Sequence, residues 1–182
     1  RGFGANGQPL TGEILVNTTT AGDQRYSTVA VDDAGNFVVT WSSLFSENFQ
    51  RYEVFVRRFD AEGRPLTGEI RVSSVPVFDE GFFSTVAVDG AGNFVVTWCD
   101  NARILARLFD AKGNPLSDQI LVSATGSSNL FSTVAMDNAG RFVVTWTSRD
   151  PDGFNVYARL FFVNGQPQTD AILVNGTTVF GQ

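Results

Sequence analysis

Short apolar runs, separated by clusters of polar residues and glycine, recur along the whole chain. In the run from Phe37 to Trp41, the side chains of Phe37, Val39 and Trp41 share one face, and Val38 points to the other. Runs of this length, rich in Val, Ile, Phe and Thr and bounded by Gly, Asn, Asp and Pro, predict β-strands, and almost no stretch has helical periodicity. A strand that is apolar on both faces is typical of a sheet packed between two neighbours.

This pattern of apolar runs recurs in three copies along the chain. The recurring blocks are Ser27 to Trp41, Ser84 to Trp98 and Ser132 to Trp146, and, further along each unit, 58–66, 108–116 and, more loosely, 160–167. A short strand-like run follows each second block, at 69–72, 119–122 and 171–174. One unit therefore holds four strands, which we label a to d in chain order, in about fifty residues. This is the size of a propeller blade.

The sequence thus predicts an all-β fold of three four-stranded antiparallel β-propeller blades, with a β-sandwich or solenoid as the alternative. It also predicts one repeat-built domain over residues 1–182. The predicted parts are an orphan strand d with its connection at 1–26, blade 1 at 27–73, blade 2 at 74–123, blade 3 at 124–175 and a tail at 176–182.

The orphan strand lies at 13–16, because residues 1–10 resemble the block at 58–66 and thus open the chain at the end of a strand c. An unpaired edge strand promotes association unless something covers it. Three blades are also too few for a ring, since propellers use ~4–8. We therefore expect self-association, or neighbouring repeats of a longer chain, to complete the blade to which this strand belongs.

Two kinds of tight turn separate the strands. Asp-x-Ala-Gly stands between strands a and b and begins at Asp32, Asp89 and Asp137; Asp-Ala-x-Gly stands between strands c and d at 60–63 and 110–113. An aspartate side chain accepts hydrogen bonds from backbone N–H groups two residues on, and glycine takes the positive φ. We expect these aspartates to have a structural role as turn formers.

Composition excludes several functions. The net charge is −6, from 13 Lys plus Arg and 19 Asp plus Glu, which argues against a nucleic-acid partner because phosphate neutralisation needs clustered cations. There is no histidine and the only cysteine is Cys99, so His-based acid/base chemistry, Ser-His-Asp and Cys-His nucleophiles and Cys/His zinc sites are excluded. No apolar run is long enough to predict a membrane span.

Two residue types recur at fixed positions of the unit. Trp41, Trp98 and Trp146 end strand b; aromatic rings suit sugar stacking, yet the alternating run favours a structural place in the core between blades. Arginine recurs in strand c, at Arg57, Arg107 and Arg159. A buried guanidinium must be paired, so we expect a structural role with Asp32, Asp89 or Asp137, or with backbone carbonyls at a turn; the alternative is a ring of cations for an anionic ligand.

One loop suggests a metal. Asp150, Asp152 and Asn155 surround Gly153 in the connection between strands b and c of the third unit, and calcium prefers several oxygen ligands around a sharp turn. Pro151 interrupts the usual spacing, and only this unit has the motif. A solvated turn is the competing interpretation; beyond calcium, no cofactor is predicted.

The repeated text resembles a known family. Thr-Val-Ala-Val-Asp-x-Ala-Gly-Asn-Phe-Val-Val-Thr-Trp, followed by Val-Tyr-Ala-Arg-x-Phe-Asp-Ala-x-Gly-x-Pro-Leu, is similar to the repeats of large bacterial secreted or surface proteins. Those chains often also carry hemolysin-type calcium-binding or cadherin-like modules. The resemblance implies a β-propeller, an extracellular or cell-surface location, and an adhesion or binding role without catalysis.

The predicted function is therefore a non-catalytic, extracellular structural or interaction module that assembles through its blades and binds partners through variable loops. The first alternative is a lectin-like propeller that binds glycans, which predicts repeated exposed aromatic residues beside polar loops. The second alternative is an enzyme that uses carboxylates only.

Overall fold

The computed structural model describes residues 1–46, 51–74, 83–123, 128–151 and 153–176, and the side chains of these residues except at 45, 46 and 51. In these ranges the chain forms strands, turns and bends without helix. No described helix could therefore cross a membrane. The strands, in chain order, are β1 (Gln24–Val31), β2 (Phe37–Ser46), β3 (Arg51–Phe59), β4 (Ile70–Arg71), β5 (Thr85–Val88), β6 (Phe94–Asp100), β7 (Arg103–Phe109), β8 (Ile120–Leu121), β9 (Ser128–Met136), β10 (Phe142–Asp150), β11 (Gly153–Phe161) and β12 (Ile172–Leu173).

The strands form three four-stranded antiparallel sheets: β1 to β4, β5 to β8 and β9 to β12, each in sequential order. This confirms the predicted fold class of three propeller blades. Because each sheet is a meander, the d–a and b–c connections lie at one end of every blade, which we call the upper rim. The a–b and c–d turns lie at the other end, the lower rim.

The turns on the lower rim follow from their sequence. Asp32 Oδ1 accepts hydrogen bonds from the backbone N–H groups of Ala34 (3.0 Å) and Asn36 (2.9 Å), and Gly35 takes a φ of +83°. Asp89 and Asp137 make the same pair of bonds in blades 2 and 3. One aspartate thus satisfies two backbone donors in each turn, which leaves the flanking strands in register.

The blades pack face to face, with the first strands β1, β5 and β9 beside one another. One apolar core fills the space between blades 1 and 2 around Trp98, and a second fills the space between blades 2 and 3 around Trp146. Trp41 lies in a third, smaller cluster on the side of blade 1 that faces away from blade 2. The three tryptophans therefore occupy the same position on three successive blade faces, each at most 4% exposed.

The segment 13–16 pairs with no other strand in the described structure. It still takes the place that a strand d of a preceding blade would take. Ile14 and Val16 pack against the cluster that contains Trp41 and Phe59, and the Val16 carbonyl accepts a hydrogen bond from Arg57 Nη1 at 2.8 Å.

Two strand boundaries differ from those predicted. Strand a of blade 1 begins at Gln24, before the predicted start of the blade at residue 27, because β1 continues past a register shift between Arg25 and Thr28. The d strands extend over only two residues each, such as Ile70–Arg71, because only those residues pair with strand c.

Candidate functional site: an aromatic cluster on the upper rim

Three aromatic side chains from three blades meet near the upper ends of strands a. Tyr26, Phe83 and Phe131 each precede the serine that opens the repeated text. The ring centroids of Tyr26 and Phe83 are 4.8 Å apart, and those of Phe83 and Phe131 are 5.4 Å apart. The three residues are 37%, 41% and 56% exposed, so the cluster presents ring surface to solvent next to the inner strands.

The backbone turns two of these rings outward at some cost. Tyr26 has a φ of 57° and Phe131 a φ of 50°, a left-handed conformation that bulky residues rarely adopt. Beside both residues the ladder to strand b shifts register, as in a β-bulge, which re-aims a side chain relative to a regular strand. Strain of this kind, of order 1–3 kcal/mol for each residue, is concentrated at binding and active sites.

Buried hydroxyl pairs hold the cluster from below. Thr40 Oγ1 lies 3.0 Å from Ser84 Oγ, and Thr97 Oγ1 lies 3.1 Å from Ser132 Oγ. All four residues are buried, and each pair joins strand b of one blade to strand a of the next. Because Ser84 and Ser132 directly follow Phe83 and Phe131, these bonds fix the relative positions of the aromatic residues.

Charged and polar groups flank the aromatic cluster. Arg25 forms an ion pair with Asp23, and this carboxylate is the main cause that raises the pKa of the Arg25 guanidinium. On the blade 3 side, Asn129 donates through Nδ2 to the Ala102 carbonyl at 2.9 Å. Asn129 is buried, whereas the side chains of Arg25 and Asp23 are half exposed, so the exposed aromatic faces have charged side chains beside them on the blade 1 side.

The residues of the predicted calcium site are only partly described. Asp150 Oδ2 accepts hydrogen bonds from Asn155 Nδ2 (3.1 Å) and Tyr157 Oη (2.8 Å). These two donors, Asn155 first, lower the pKa of Asp150. The side-chain oxygen Oδ1 of Asn155 accepts a hydrogen bond from Asn175 Nδ2 at 2.9 Å. Asp152 lies outside the described residues, so calcium binding stays a prediction; the described part contains no group of three acidic, Cys or His residues suited to a metal.

The recurrent arginines contact backbone carbonyls. Arg107 Nε donates to Ser117 O at 3.2 Å, and Arg107 Nη1 donates to Val72 O, in the preceding blade, at 3.1 Å. Arg57 and Arg159 repeat both bonds at their own positions. Each guanidinium also lies over the phenylalanine two residues on, at 5.3 to 5.7 Å from the ring centroid. These contacts join successive blades, and none of them involves the recurrent aspartates.

A different arginine pairs with an aspartate. Arg58 Nη2 lies 2.8 Å from Asp32 Oδ2, and the two side chains are 9% and 3% exposed. Arg58 Nη1 also donates to Ala111 O in blade 2 at 2.6 Å. Burial by itself would raise the pKa of Asp32, but the hydrogen bonds from Asn36, Arg58 and Ala34 outweigh it, and the pKa is lowered. Sequence reasoning missed this pair because blades 2 and 3 carry Leu108 and Leu160 at the Arg58 position.

Sequence reasoning also missed the aromatic cluster. A signal was present, because an aromatic residue precedes the serine in every unit, at Tyr26, Phe83 and Phe131. The residues are 57 and 48 positions apart in the chain, so only the packing of the first strands side by side shows that the rings touch.

The turn aspartates make stability dependent on acid. Hydrogen bonds from Asn114 lower the pKa of Asp110, and those from Arg141 lower the pKa of Asp137 despite the opposing effect of burial. A carboxyl group whose folded pKa lies below its unfolded value of ~3.9 stabilises the fold above that value, and the contribution is lost as pH falls through the folded pKa. We expect the melting temperature to be steady down to about pH 4 and to fall below it.

Asp110→Asn tests whether protonation of a turn aspartate causes this loss of stability, because an amide oxygen can still accept the turn hydrogen bonds but does not titrate. The variant is expected to show a smaller loss of melting temperature below about pH 4 than the wild type. Asp118→Asn, at an exposed carboxylate outside the turn, serves as the matched control. An acid-insensitive wild type, or equal profiles for Asp110→Asn and wild type, would contradict this account.

Comparison with known proteins supports the fold. The sequence matches no family model and no curated protein. Among solved structures, it is similar to the Hadza microbial sialidase Hz136 (14% identity, TM-score 0.58, 84% of this chain and 37% of that one). It is also similar to the α-L-arabinofuranosidase Arb93A from Fusarium graminearum (11%, 0.62, 88% and 53%) and to a GH43 endo-arabinanase from Bacillus licheniformis (12%, 0.52, 85% and 60%).

These structures are β-propellers, and at such identities the likeness establishes the fold. The chain spans about two to three fifths of their lengths.

The comparison contradicts the prediction of a non-catalytic interaction module. The matched propellers are glycoside hydrolases. The prediction took the absence of catalysis from the resemblance to surface-protein repeats, although an enzyme that uses carboxylates only, without histidine or cysteine, was one of its alternatives. Glycoside hydrolysis typically uses a pair of carboxyl groups and needs neither residue. The all-β repeat pattern was compatible with an enzyme from the start.

Proposed function

We propose that this chain is part of a carbohydrate-processing β-propeller, with Tyr26, Phe83 and Phe131 as its sugar-binding surface. The observation that carries the proposal is the meeting of three exposed rings on the upper rim at one repeat position. The likeness to propellers named as a sialidase, an arabinofuranosidase and an endo-arabinanase supports carbohydrate as the ligand class.

The physical argument rests on the apolar faces of sugar rings. A pyranose or furanose presents C–H groups on one face, and aromatic rings bury that face while neighbouring polar groups bond the hydroxyls. The hydroxyl pairs at Ser84 and Ser132 hold Phe83 and Phe131 in place before a ligand arrives, against the backbone strain at Phe131. A site held in this way loses less conformational entropy on binding.

The proposed reaction is hydrolysis of a glycosidic bond, which requires one carboxyl group as acid and another as base or nucleophile. Among the described carboxyl groups with a shifted pKa, every shift is downward, as for Asp150 on the upper rim. Such groups are ionised at neutral pH and suit the base or nucleophile role. We assign no residue as the acid.

The resemblance to repeats of secreted and surface bacterial proteins supports an extracellular place of action. Polysaccharides that such an enzyme would cleave are also found outside the cell. Secretion is therefore part of the proposal.

Phe83→Ala tests the binding surface. We expect affinity for arabinan oligosaccharides or sialyl-oligosaccharides, whichever the wild type binds in calorimetry, to fall about tenfold, because the central ring of the cluster is lost. Phe162→Ala is the matched control, since Phe162 is similarly exposed (46% against 41%) but lies on the lower rim. The control is expected to bind like the wild type.

Release of reducing sugar from the same oligosaccharides tests the reaction. Hydrolysis that falls with Phe83→Ala supports the proposal as a whole. Absence of both binding and hydrolysis across these ligands, or equal effects of Phe83→Ala and Phe162→Ala, would overturn it.

A further inference from the structure

Both ends of the three-blade stack leave apolar side chains exposed. We call the side of blade 1 that faces away from blade 2 the leading face, and the side of blade 3 that faces away from blade 2 the trailing face. On the leading face, Val29 is 60% exposed, whereas the equivalent Val86 in blade 2 is 7% exposed. On the trailing face, Val156 is 40% exposed, whereas the equivalents Val54 and Ile104 are fully buried.

Two junctions inside the chain show what each face is built to bind. At each junction, an arginine of the following blade donates to a strand d carbonyl of the preceding blade: Arg107 to Val72, and Arg159 to Val122. An isoleucine of the same strand d lies on the following blade's turn glycine, where any Cβ would collide with it. These pairs are Ile70 on Gly113 and Ile120 on Gly165.

The trailing face presents the same groups without a following blade. Ile172 is 45% exposed and Val174 is 57% exposed, at the positions of Ile70 and Val72. Thr145 is partly exposed there, whereas the equivalent Thr40 and Thr97 are buried against a serine of the next blade. This face therefore matches a blade that offers an arginine, a turn glycine and a serine at the repeat positions.

The leading face offers the equivalent arginine and turn glycine, Arg57 and Gly63, but residues 14–16 already contact them. Arg57 donates to the Val16 carbonyl, and Ile14 lies on Gly63. The occupying sequence, Ile14-Leu15-Val16, is identical to Ile172-Leu173-Val174 of the trailing face. Two segments of one sequence thus compete for one position, and the segment at 14–16 holds it without a partner strand.

We propose that a second copy of this chain docks its trailing face on the leading face of the first, head to tail. The Ile172-Leu173-Val174 segment of one copy then takes the position of the Ile14-Leu15-Val16 segment of the other, which is displaced. The incoming segment packs as the displaced one did, because the two are identical in sequence. The uncovered parts of both faces, including Val29 and Val156, are buried in addition. Burial of apolar surface at ~25 cal/mol per Å² then drives the association.

Two copies suffice to close a ring. Three blades from each chain make six, within the range of ~4–8 that propellers use. The two junctions are then equivalent by a two-fold axis, and a head-to-tail contact that closes gives a finite assembly instead of a filament. This inference is independent of the proposed function.

Light scattering after size-exclusion chromatography tests the docking. The wild type is expected to have twice the chain mass of 19.8 kDa. Val29→Glu and Val156→Glu each place a charge in every junction and are expected to give 19.8 kDa species with unchanged circular dichroism. Leu116→Glu is the control, because Leu116 is about as exposed (59%) as Val29 (60%) but lies on the c–d connection of blade 2. This variant is expected to keep the double mass.

A mixture separates head-to-tail docking from other dimers. Val29→Glu keeps an intact trailing face and Val156→Glu keeps an intact leading face, so an equimolar mixture can form one sound junction. We expect the mixture to regain the double mass that neither variant has alone. A wild type of single mass at all concentrations, or Val29→Glu and Val156→Glu variants of double mass, would overturn the proposal.

Discussion

Asp32→Ala is expected to lower the free energy of unfolding by about 3–5 kcal/mol, because it leaves the buried Arg58 guanidinium without its counter-charge. Arg58 is 7% exposed, and its Nε already has no hydrogen-bond partner. After the substitution only the bond from Nη1 to Ala111 O would remain. A buried charge in that state costs far more than an exposed ion pair contributes. Urea-induced unfolding followed by fluorescence measures the change.

Two further variants show whether the stranded charge is the cause. Arg58→Leu installs the residue that blades 2 and 3 carry as Leu108 and Leu160, and we expect it to cost less than about 1.5 kcal/mol. The double variant Asp32→Ala, Arg58→Leu is expected to regain more than half of the stability. Asp137→Ala removes the equivalent turn former in blade 3 and reports the contribution of the turn alone. A double variant as unstable as Asp32→Ala would contradict the explanation.

Trp98→Ala is expected to lower the free energy of unfolding by about 3–5 kcal/mol, through the cavity it opens between blades 1 and 2. Trp98 is fully buried, and neither blade can close the gap without disturbing the rest of the junction. The measurement is again urea-induced unfolding, followed by circular dichroism because a tryptophan is removed.

Trp98→Phe separates the aromatic packing from the indole N–H. Trp98 Nε1 is buried without a hydrogen-bond partner, whereas Trp41 Nε1 donates to Gln24 Oε1 at 3.0 Å. Removal of an unsatisfied donor offsets part of the lost volume, so we expect Trp98→Phe to cost about 1 kcal/mol or less. A loss for Trp98→Phe that approaches the loss for Trp98→Ala would show that the indole N–H has a role this structure does not explain.

Much of the architecture was predictable because it is local. Strand b of blade 1 could be recognised from the alternation between Phe37 and Trp41, and its turns from the Asp32 and Asp60 motifs. In each case a few neighbouring residues decide the backbone, through side-chain alternation or a carboxylate that accepts two N–H groups. Repetition then made the three blades comparable and defined the four strands of each.

The candidate site was not predictable in the same way. Tyr26 and Phe131 take left-handed φ values that no local propensity favours, and their surroundings in the sequence are those of ordinary strands. The Arg58 partner likewise depends on one exception to the repeat, and its second contact, Ala111 O, lies in the next blade. Both features arise from contacts between blades, which a one-dimensional pattern does not contain.

The amino-acid sequence alone determined that this protein is a threefold β repeat, with aspartate turns and recurrent Trp and Arg positions, because strand alternation and turn chemistry act over a few residues. Only the tertiary structure decided which residues of different repeats meet. It brought Tyr26, Phe83 and Phe131 together, and it placed Ile14 against Gly63 as Ile70 lies against Gly113. The reason is that residues far apart in the chain meet only where the blades pack, and their contacts depend on the shape and burial of the packed surfaces.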